Sequence, residues 1–425
     1  MIFGMKIFAF FDSKTKKGVK GRKKSLEIIK EKFFPEDKII WMHAASLGEY
    51  EQGLPVLEQL KIRFPDCKIL ITFFSPSGYE NVKKKKNIAD AVCYLPFDRK
   101  KDVKNFISCF DTQIFFTVKY DYWYHLLAEL KNRGTKNYVI SALFYENQIF
   151  FRFYGSWFVK QLRRNISWFF HQTLESSALA KSIGLKNSSV SGDTRFDRVK
   201  QILTDNHHLE FIENFRENRK LIVFGSSWQA EEDIAQMLKK KLPETKIAIA
   251  PHDLERVPYL QKLFPNAVLY SQFYESQTSR NPKSKAQNSN KAEAEISNFK
   301  SQILIIDSIG KLSKLYSYAD LAVVGGGFHS AGLHNILEAV VYGVPVIFGN
   351  HYQKNPEADA LIAANGGKSF DDFVAASVFI AEIFKKDSET GSEEKSFLKE
   401  MSENAYHFVH SQPDSTEIIM KKIFD

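Results

Sequence analysis

The chain has 425 residues, of which 44% are hydrophobic and 14% aromatic, enough for two globular domains that each bury a core. Its three cysteines, Cys67, Cys93 and Cys109, lie in or beside apolar segments without the spacing of a metal site. So small and odd a number argues against a disulfide framework or a zinc protein, and we expect reduced thiols, a cytosolic setting and no bound metal.

The formal net charge of +9 is concentrated near the start of the chain. Residues 14–24 carry seven positive side chains and no acid, after an apolar run, 1–11, that is too short to span a bilayer. Such a basic run is either a solvated face or a surface that attracts a membrane, a phosphorylated substrate or nucleic acid. The apolar run is either a buried strand or an interfacial foot, so we expect a soluble or, at most, peripheral protein.

Short, continuously apolar runs alternate with helical segments along the chain. The first half predicts strands at 38–43, 67–74, 91–97, 112–118, 137–144 and 168–173. The second half predicts strands at 219–227, 246–252, 267–271, 302–308, 321–327 and 344–350. Helical segments such as 54–64, 121–133 and 334–342 separate these runs. Continuous rather than alternating hydrophobicity is typical of parallel strands covered on both faces, which predicts two doubly wound α/β domains in tandem.

The polar stretch 203–215 separates the two series, which predicts a first domain at 1–205 and a second at 206–400. Residues 276–301 are rich in Ser, Asn and Lys and predict an exposed insertion. Residues 385–396 predict a hydrophilic link before a final helical segment at 397–424. Because the second domain is predicted to end at residue 400, residues 401–425 form a separate last region of the chain. Because ligands bind at the carboxyl ends of strands in such sheets, we expect both domains to present these ends to a shared cleft.

Candidate reactive residues follow the strands of the first domain. The stretch "HAASLGEYEQG", 43–53, places Glu49 where a strand turns into a helix, so it is either a helix-start acid or a reagent. Lys119 and Asp121 follow the run at 112–118, and Thr194 and Arg195 lie near the domain boundary.

In the second domain the strand at 321–324 runs into Gly325, Gly326 and Gly327. Consecutive glycines allow backbone N–H groups to approach a phosphate, and a following helix would add partial positive charge. Glu338 is a ligand for a ribose or, with Asn335, part of a capping box; taken alone, the capping box is favoured. With the nearby His329, Ser330 and His334, however, the glycines favour a nucleotide site. Other candidates at strand ends are Ser226, Ser227, His252 and Arg256.

The motifs together resemble those of the Kdo transferases, where Kdo is 3-deoxy-D-manno-octulosonic acid. They are "HAASLGEYEQ", "TFFSPSGYE", "YLPFD", "GDTRFDRV", "DSIGKLSKLYSYADLAVVGG" and "GGGFHSAGLHNILEAVVYGVPVIFG". The resemblance covers the chain except 276–301. It implies a GT-B fold, two Rossmann-like domains facing a cleft with the last helix crossing back to the first. It also implies inverting transfer of Kdo from CMP-Kdo to the lipid A precursor, without a cofactor or catalytic metal.

The resemblance also implies roles for individual residues. Glu49 falls on the general base, and the first domain binds the acceptor. The positions implied for the nucleotide are Gly225, Ser226, Ser227, His252, Gly325, Gly326, Gly327, His334, Asn335 and Glu338. Those expected to support the acceptor or the transition state are Ser46, Gly48, Lys119, Asp121, Thr194 and Arg195. The chain departs from the family pattern at Lys119 and Asp121, at Ser141 to Leu143, and at Pro251 and His252.

The expected partners are CMP-Kdo, the lipid A precursor and an anionic membrane surface, at the cytoplasmic face of the inner membrane. One alternative is a UDP-sugar transferase or epimerase on the same fold. Another is a nucleic-acid-binding protein, which is disfavoured because the sequence lacks the motifs of the common nucleic-acid-binding folds.

Overall fold

The structure, a computed structural model, describes residues 13–204, 208–272, 301–389 and 396–425. It divides into two compact units. The first unit contains the described residues up to Arg198 together with Pro413–Asp425, and the second is Val199–Gln412. The predicted boundary at 205/206 falls at residues 205–207, which lie outside the described residues.

Seven parallel strands form the sheet of the first unit, in the order β3-β2-β1-β4-β5-β6-β7. The order reverses between β1 and β4, so this pair is the topological switch point at which doubly wound sheets bind ligands. The elements are α1 (Ser13–Lys32), β1 (Lys38–Ala44), α2 (Leu47–Arg63), β2 (Lys68–Phe73), α3 (Pro76–Lys83), β3 (Ala91–Tyr94), α4 (Lys100–Ile107), β4 (Asp111–Val118), α5 (Tyr124–Asn132), β5 (Lys136–Ala142), α6 (Ser156–Asn165), β6 (Trp168–His171), α7 (Leu174–Ser182), β7 (Ser188–Val190) and α8 (Thr194–Ile202).

The continuous hydrophobicity of these strands reflects burial on both faces. Successive residues of β1 enter opposite cores: Ile39 and Trp41 face one cluster, and Ile40 and Met42 face the other. Trp41 packs edge-on against Phe115 with ring centroids 5.2 Å apart. A strand that fills a core on each side must be apolar at every position, as the sequence predicted.

The second unit also has a seven-stranded parallel sheet, in the order β10-β11-β9-β8-β12-β13-β14. Its order reverses between β8 and β12. The elements are α9 (Glu210–Arg216), β8 (Leu221–Ser227), α10 (Gln229–Lys241), β9 (Lys246–Pro251), α11 (Val257–Leu263), β10 (Val268–Leu269), β11 (Ile303–Ile305), α12 (Leu312–Tyr316), β12 (Leu321–Val324), α13 (Leu337–Val340), β13 (Val346–Gly349), α14 (Pro356–Ala363), β14 (Gly367–Phe370), α15 (Phe373–Glu389) and α16 (Phe397–His410).

The predicted fold class, two parallel-sheet α/β domains, is confirmed, and each of the twelve predicted strands is present. Two strands were not predicted, Ser188–Val190 and Gly367–Phe370. Both are short, edge-located and rich in small or polar residues, so they lack the apolar run of the interior strands.

The predicted final helix at 397–424 is two helices. α16 lies in the second unit, and a break at Pro413 leads into α17 (Ser415–Phe424), which lies in the first unit. The Asp197 carboxylate fixes this return by accepting hydrogen bonds from the Thr416 N–H and hydroxyl, each at 2.6 Å. The expected return of the last helix is therefore confirmed, although it begins at Pro413 rather than at residue 401.

Several predicted features differ from the structure or lie outside it. The hydrophilic link predicted at 385–396 is helical as far as Glu389, where α15 ends. The apolar run 1–11 and the insertion at 276–300 lie outside the described residues. All three cysteines are buried and form no disulfide. None of the described helices combines the length and apolar character needed to cross a bilayer.

Candidate active site

The switch points of the two sheets carry residues that the sequence predicted to be reactive. In the first unit, β1 ends at Ala44 and α2 begins three residues later. Ser46, with an extended backbone, is the N-cap of α2. Its hydroxyl accepts a hydrogen bond from the Glu49 N–H at 3.5 Å. A short strand-to-helix turn of this kind places the first helical residues at the carboxyl edge of the sheet.

Glu49 closes a capping box at the start of α2. Its Oε2 accepts hydrogen bonds from the backbone N–H groups of Ala45, at 2.6 Å, and Ser46, at 3.0 Å. Oε1 has no hydrogen-bond partner among the described residues. The side chain is only 9% exposed, so the carboxylate is oriented by one oxygen while the other is left to interact with a ligand.

Burial raises the pKa of Glu49, and the neighbouring Asp121 carboxylate raises it further. Lys119, the Ala45 N–H and His43 oppose this rise without cancelling it. The structure thus brings Lys119 and Asp121 into the electrostatic environment of Glu49, as their positions after β4 predicted. A carboxylate with a raised pKa is a stronger base than an exposed glutamate, which suits proton abstraction near neutral pH.

A buried hydrogen-bonded chain leads from the core of the first unit to Asp121. Trp41 Nε1 donates to Thr72 Oγ1 at 2.8 Å, and that oxygen lies 2.9 Å from His43 Nδ1. His43 Nε2 lies 2.8 Å from Asp121 Oδ2 and 3.2 Å from Trp123 Nε1. Nδ1 also lies 3.1 Å from Thr72 O. A carboxylate oxygen only accepts, so the contact with Asp121 uses a proton on Nε2. His43 therefore holds the Asp121 carboxylate in place.

Two backbone positions near Glu49 are unusual: Lys119 has a strained conformation, and Gly48 has unfilled space beside it. Lys119 has φ of 63°, uncommon for a residue with a Cβ, and its N–H donates to Ile140 O at 3.0 Å. Gly48 is exposed, and a Cβ there would meet no atom within 4 Å. The space beside Glu49 is therefore open at the first turn of α2.

Thr194 and Arg195 occupy different environments. Thr194 is fully buried, and its hydroxyl donates to Gln52 O at 2.6 Å and lies 2.9 Å from Ser141 Oγ, so it holds α2 in position. Burial alone would raise the pKa of Asp193, but the Arg195 guanidinium, 2.6 Å away, holds it below its usual value. Gln52 Nε2 donates to the other oxygen of Asp193 at 2.6 Å. Of the two predicted residues, only Arg195 is partly exposed.

In the second unit the glycines after β12 are explained first by close backbone packing. A Cβ at Gly325 would lie 2.0 Å from Ser226 O, and one at Gly327 would lie 2.6 Å from Gly349 N. Both obstacles are backbone atoms, which cannot move aside. The loop therefore passes so close to the ends of β8 and β13 that only glycine fits.

Two of the three glycine N–H groups are already paired. The Gly325 N–H donates to Gly225 O at 2.8 Å, and the Gly326 N–H donates to Glu231 Oε1 at 3.1 Å. Glu231 is fully buried, and burial raises the pKa of its carboxyl group. The prediction that the N–H groups of all three glycines are available to a phosphate is therefore wrong for Gly325 and Gly326, because these two donors already have partners within the protein.

β8 bulges at Ser226, one residue before its end. The register with β9 shifts between Gly225 and Ser227, and Ser226 has φ of 52°. A Cβ at Gly225 would lie 1.8 Å from the Tyr316 hydroxyl. Ser226 is partly exposed and Ser227 is buried, so only the first of the two predicted serines is open to a ligand.

Ser227 and Arg256 meet at a buried carboxylate, Glu232. The Ser227 hydroxyl donates to Glu232 Oε1 at 3.4 Å, and Arg256 Nε donates to the same oxygen at 2.8 Å. Arg256 Nη2 also donates to the second Glu232 oxygen. This pairing raises the pKa of Arg256. Because Glu232 binds both Arg256 and Ser227, the pair stabilises the end of β8.

Three histidines gather around Trp228, directly after β8. The Trp228 ring is stacked between His252, with centroids 4.6 Å apart, and His329, at 4.4 Å. The His334 ring lies 4.7 Å from that of His252, and burial together with His252 lowers the pKa of His334. The predicted candidates His252 and His334 are thus brought together, and Trp228 Nε1 is buried without a partner in the described part of the chain.

The capping box predicted at Asn335 and Glu338 is absent, and the predicted helix at 334–342 is only the four residues Leu337–Val340. Asn335 Oδ1 accepts from the Leu337 N–H at 3.1 Å, and its amide donates to Glu338 Oε1 at 3.1 Å. The Asn335 amide thus contacts the Glu338 carboxylate, and the ribose role of Glu338 stays a prediction. So short a helix supplies little of the partial charge expected of a helix N-terminus.

Sequence reasoning missed His43, Gln52, Trp228 and Glu231. His43 and Gln52 lie within the quoted motif around Glu49, and Trp228 directly follows the serines of β8, so adjacency to a candidate was the available signal. Glu231 gives no such signal, since its contact to Gly326 spans 95 positions. Among the described residues, no group of three or more His, Cys, Asp or Glu side chains is placed to hold a metal ion.

The sequence of this chain is similar to a family profile and to several curated proteins. The family profile described as 3-deoxy-D-manno-octulosonic-acid transferase (kdotransferase) matches residues 17–198. A 3-deoxy-D-manno-octulosonic acid transferase of Aquifex aeolicus is 25% identical, over 77% of this chain and 82% of its own. A bifunctional glycosyltransferase/methyltransferase of Fusobacterium nucleatum is also 25% identical, over 92% of this chain. The match covers 63% of that relative, so this chain spans less than two thirds of its length.

Among solved structures, UDP-GlcNAc 2-epimerase from Neisseria meningitidis resembles this chain with a TM-score of 0.57. The two are 16% identical, and the match covers 91% of this chain and 99% of the epimerase. This likeness shows the fold alone. The sequence matches, in turn, confirm the resemblance of this chain to the Kdo transferases.

Proposed function

We propose that this chain, which resembles the Kdo transferases, transfers Kdo from CMP-Kdo to a hydroxyl group of the lipid A precursor, with inversion at the anomeric carbon. The observation that carries the proposal is Glu49, a buried carboxylate at the switch point of the first unit, with one oxygen that has no hydrogen-bond partner in the described part of the chain. It lies in a motif shared with that family.

In the proposed reaction Glu49 Oε1 accepts the proton of the acceptor hydroxyl as the oxygen attacks the anomeric carbon. The new C–O bond forms while the bond from that carbon to the phosphate oxygen breaks, and CMP leaves with the electron pair. A hydroxyl is a poor nucleophile near neutral pH, so a positioned base is needed as the new bond forms. Inversion requires a single such base and no second carboxylate acting as a nucleophile.

The surroundings of Glu49 suit this role. The Ala45 and Ser46 N–H groups fix Oε2, so Oε1 keeps one orientation. The Asp121 carboxylate, held by His43, raises the pKa of Glu49 and strengthens it as a base. The nearby Lys119 ammonium lowers the pKa of Glu49 and so limits this rise.

The second unit is proposed to bind the CMP part of the donor at the ends of β8 and β12. Ser226 and the Trp228–histidine cluster offer a hydroxyl and ring N–H groups to the departing phosphate. Glu338 is proposed to accept from the ribose hydroxyls. Donors placed around a developing phosphate charge lower the barrier to its departure.

The membrane part of the proposal rests on α1. Its lysines at 16, 17, 20, 23 and 24 are exposed, and they form a basic face able to bind anionic head groups. We propose peripheral association with the cytoplasmic face of the inner membrane, where a lipid acceptor would be presented.

The direct test is incubation of the full chain with a CMP-Kdo-generating mixture and the lipid A precursor, followed by mass analysis of the lipid. The expected result is a lipid heavier by one or more Kdo units, formed only when both substrates are present. Unchanged lipid mass under conditions in which a known Kdo transferase gives product would contradict the proposal.

A UDP-sugar enzyme is the second candidate, since the fold of the chain resembles that of a UDP-GlcNAc 2-epimerase. Thermal unfolding in the presence of CMP or UDP separates the two. Stabilisation by CMP alone supports CMP-Kdo as donor, and stabilisation by UDP alone supports the alternative.

A further inference from the structure

The basic run at 14–24 is not a uniform solvated face. Its two glycines lie on the buried side of α1, where a Cβ at Gly21 would lie 2.2 Å from the Tyr94 ring. A Cβ at Gly18 would lie 3.0 Å from Arg22 Nη1. The glycines therefore allow α1 to approach the end of β3, and this approach carries Arg22 into the interior.

Arg22 is a buried cation that forms no ion pair with a described carboxylate, although its charge interacts with that of Asp121. It is 7% exposed, and Nη2 donates to Phe74 O at 2.8 Å. The guanidinium carbon lies 4.6 Å from the centroid of the Phe74 ring and 5.5 Å from that of Tyr94. Within the described part of the chain, no acidic side chain forms an ion pair with it. Burial lowers the pKa of Arg22 to about 10, so the group stays charged at neutral pH.

Arg22 lines a cavity of about 250 Å³ between α1 and α4. Lys23 and Arg99 also line it, with Asp102 as the single carboxylate. Asp102 is already paired with Arg99, 2.5 Å away, so the charges of Arg22 and Lys23 are not neutralised within the cavity. A small concave site with excess positive charge and a buried, planar guanidinium fits a compact anion.

The cavity is close to the proposed base. Phe74, below the guanidinium, stacks on Trp123 at 5.3 Å, and Trp123 Nε1 lies 3.2 Å from His43 Nε2. Phe74 directly follows β2, the strand next to β1, and Tyr94 ends β3. With strands ~4.8 Å apart, the cavity lies about 10 Å along the carboxyl edge from the end of β1, roughly the length of a sugar and its substituent.

We propose that this cavity binds a phosphate group of the acceptor, with Arg22 as the residue that recognises it. The inference rests on the proposed function, because it assigns the anion to the same substrate whose hydroxyl Glu49 deprotonates. The cavity is too small for a nucleotide, and its guanidinium is buried too deeply to serve a flat membrane surface, so one phosphate group on a sugar fits it best.

The test compares Arg22→Met, which keeps the length of the side chain over the rings, with Arg63→Met. Arg63 is a matched control, an exposed arginine whose guanidinium carbon lies 5.3 Å from the Phe424 ring. Thermal unfolding of the full chains in inorganic phosphate and in chloride of equal ionic strength measures anion binding without any transfer. We expect phosphate to stabilise the wild type and Arg63→Met equally, and Arg22→Met by less.

Transfer kinetics then assign the phosphate to the acceptor. For Arg22→Met we expect KM for the phosphorylated acceptor to rise about 10- to 100-fold, with KM for the dephosphorylated acceptor unchanged, because a charge-assisted hydrogen-bonded contact is lost. Arg63→Met should change neither. Binding to acceptor-free anionic vesicles should be the same in both variants and the wild type.

Equal phosphate stabilisation of Arg22→Met and the wild type would overturn the inference. So would an equal rise of KM for both acceptors, or loss of vesicle binding by Arg22→Met with the acceptor preference retained, since the latter would assign the cavity to a membrane head group. If no transfer occurs in any variant, the proposed function fails, while the phosphate measurement still decides whether the cavity binds an anion.

Discussion

The switch points of the two units share a topology but are built in different ways. In the first unit the edge between β1 and β4 presents the side chains of Glu49 and Asp121, and His43 links Asp121 to the core. In the second unit the edge between β8 and β12 is made of backbone packed on backbone, and rings surround it. The first arrangement raises the pKa of a carboxyl group, and the second fixes the path of the backbone.

The two predicted helix-start glutamates make the same contrast. Glu49 does form a capping box, so the structural and chemical interpretations of this residue are compatible, because each uses a different oxygen. Glu338, for which a capping box was the favoured interpretation, does not form one. A capping motif thus gives no reason to exclude a catalytic role, since it fixes the orientation that a base requires.

The largest expected effect on stability comes from adding a methyl group at the edge between β8 and β12, where backbone packs on backbone. Gly325→Ala places Cβ 2.0 Å from Ser226 O, so the loop or β8 must shift. We expect a loss of ~3 kcal/mol or more and a fall in the melting temperature of the second unit of roughly 6 to 12 °C. Differential scanning calorimetry of the full chain measures the melting temperature.

Gly48→Ala is the matched change at the edge built from side chains. A Cβ there meets nothing within 4 Å, and alanine favours the helix, so stability should be unchanged or slightly higher. If both substitutions have the same effect on the melting temperature, the contrast between the two edges is wrong.

A smaller effect is expected from Asp121→Asn, which tests how the first edge tunes Glu49. The pKa of Glu49 is raised by burial and by Asp121, so removal of that charge should lower it. Protonated Glu49 cannot accept a proton, so transfer is lost as the pH falls through its pKa. The acid limb of the pH–rate profile should therefore move to lower pH, with a plateau about 10-fold lower because His43 no longer holds a carboxylate.

Asp66→Asn is the control for this experiment, because Asp66 is an exposed residue in the turn after α2. It should leave the acid limb in place. An acid limb that stays fixed in Asp121→Asn, or moves to higher pH, would refute the coupling between the two carboxylates.

Much of this arrangement was predictable from local sequence. Continuous apolar runs predicted the interior strands, and the motif around Glu49 predicted a strand-to-helix turn with a candidate base. The edge strands β7 and β14 were not predictable in this way, because a strand covered by few neighbours needs no long apolar run.

Contacts between distant residues could not be predicted. Asp121 and His43 are 78 positions apart and meet only because β4 pairs with β1. The N–H groups of Gly325 and Gly326 appeared available in the sequence, but the sheet supplies Gly225 and Glu231 as partners. The basic run was predicted as a single surface, whereas the two glycines divide it into an exposed lysine face and a buried arginine.

The most direct measurement of the central claim is the transfer rate of Glu49→Gln, made together with its CMP affinity and melting temperature. Glutamine can still accept from the Ala45 and Ser46 N–H groups, so the cap and the fold should be retained, but it cannot take a proton. We predict a rate lower by about 10²- to 10⁴-fold, with CMP binding and melting temperature close to those of the wild type. Transfer at a near-normal rate would show that Glu49 is a helix cap and that another group is the base.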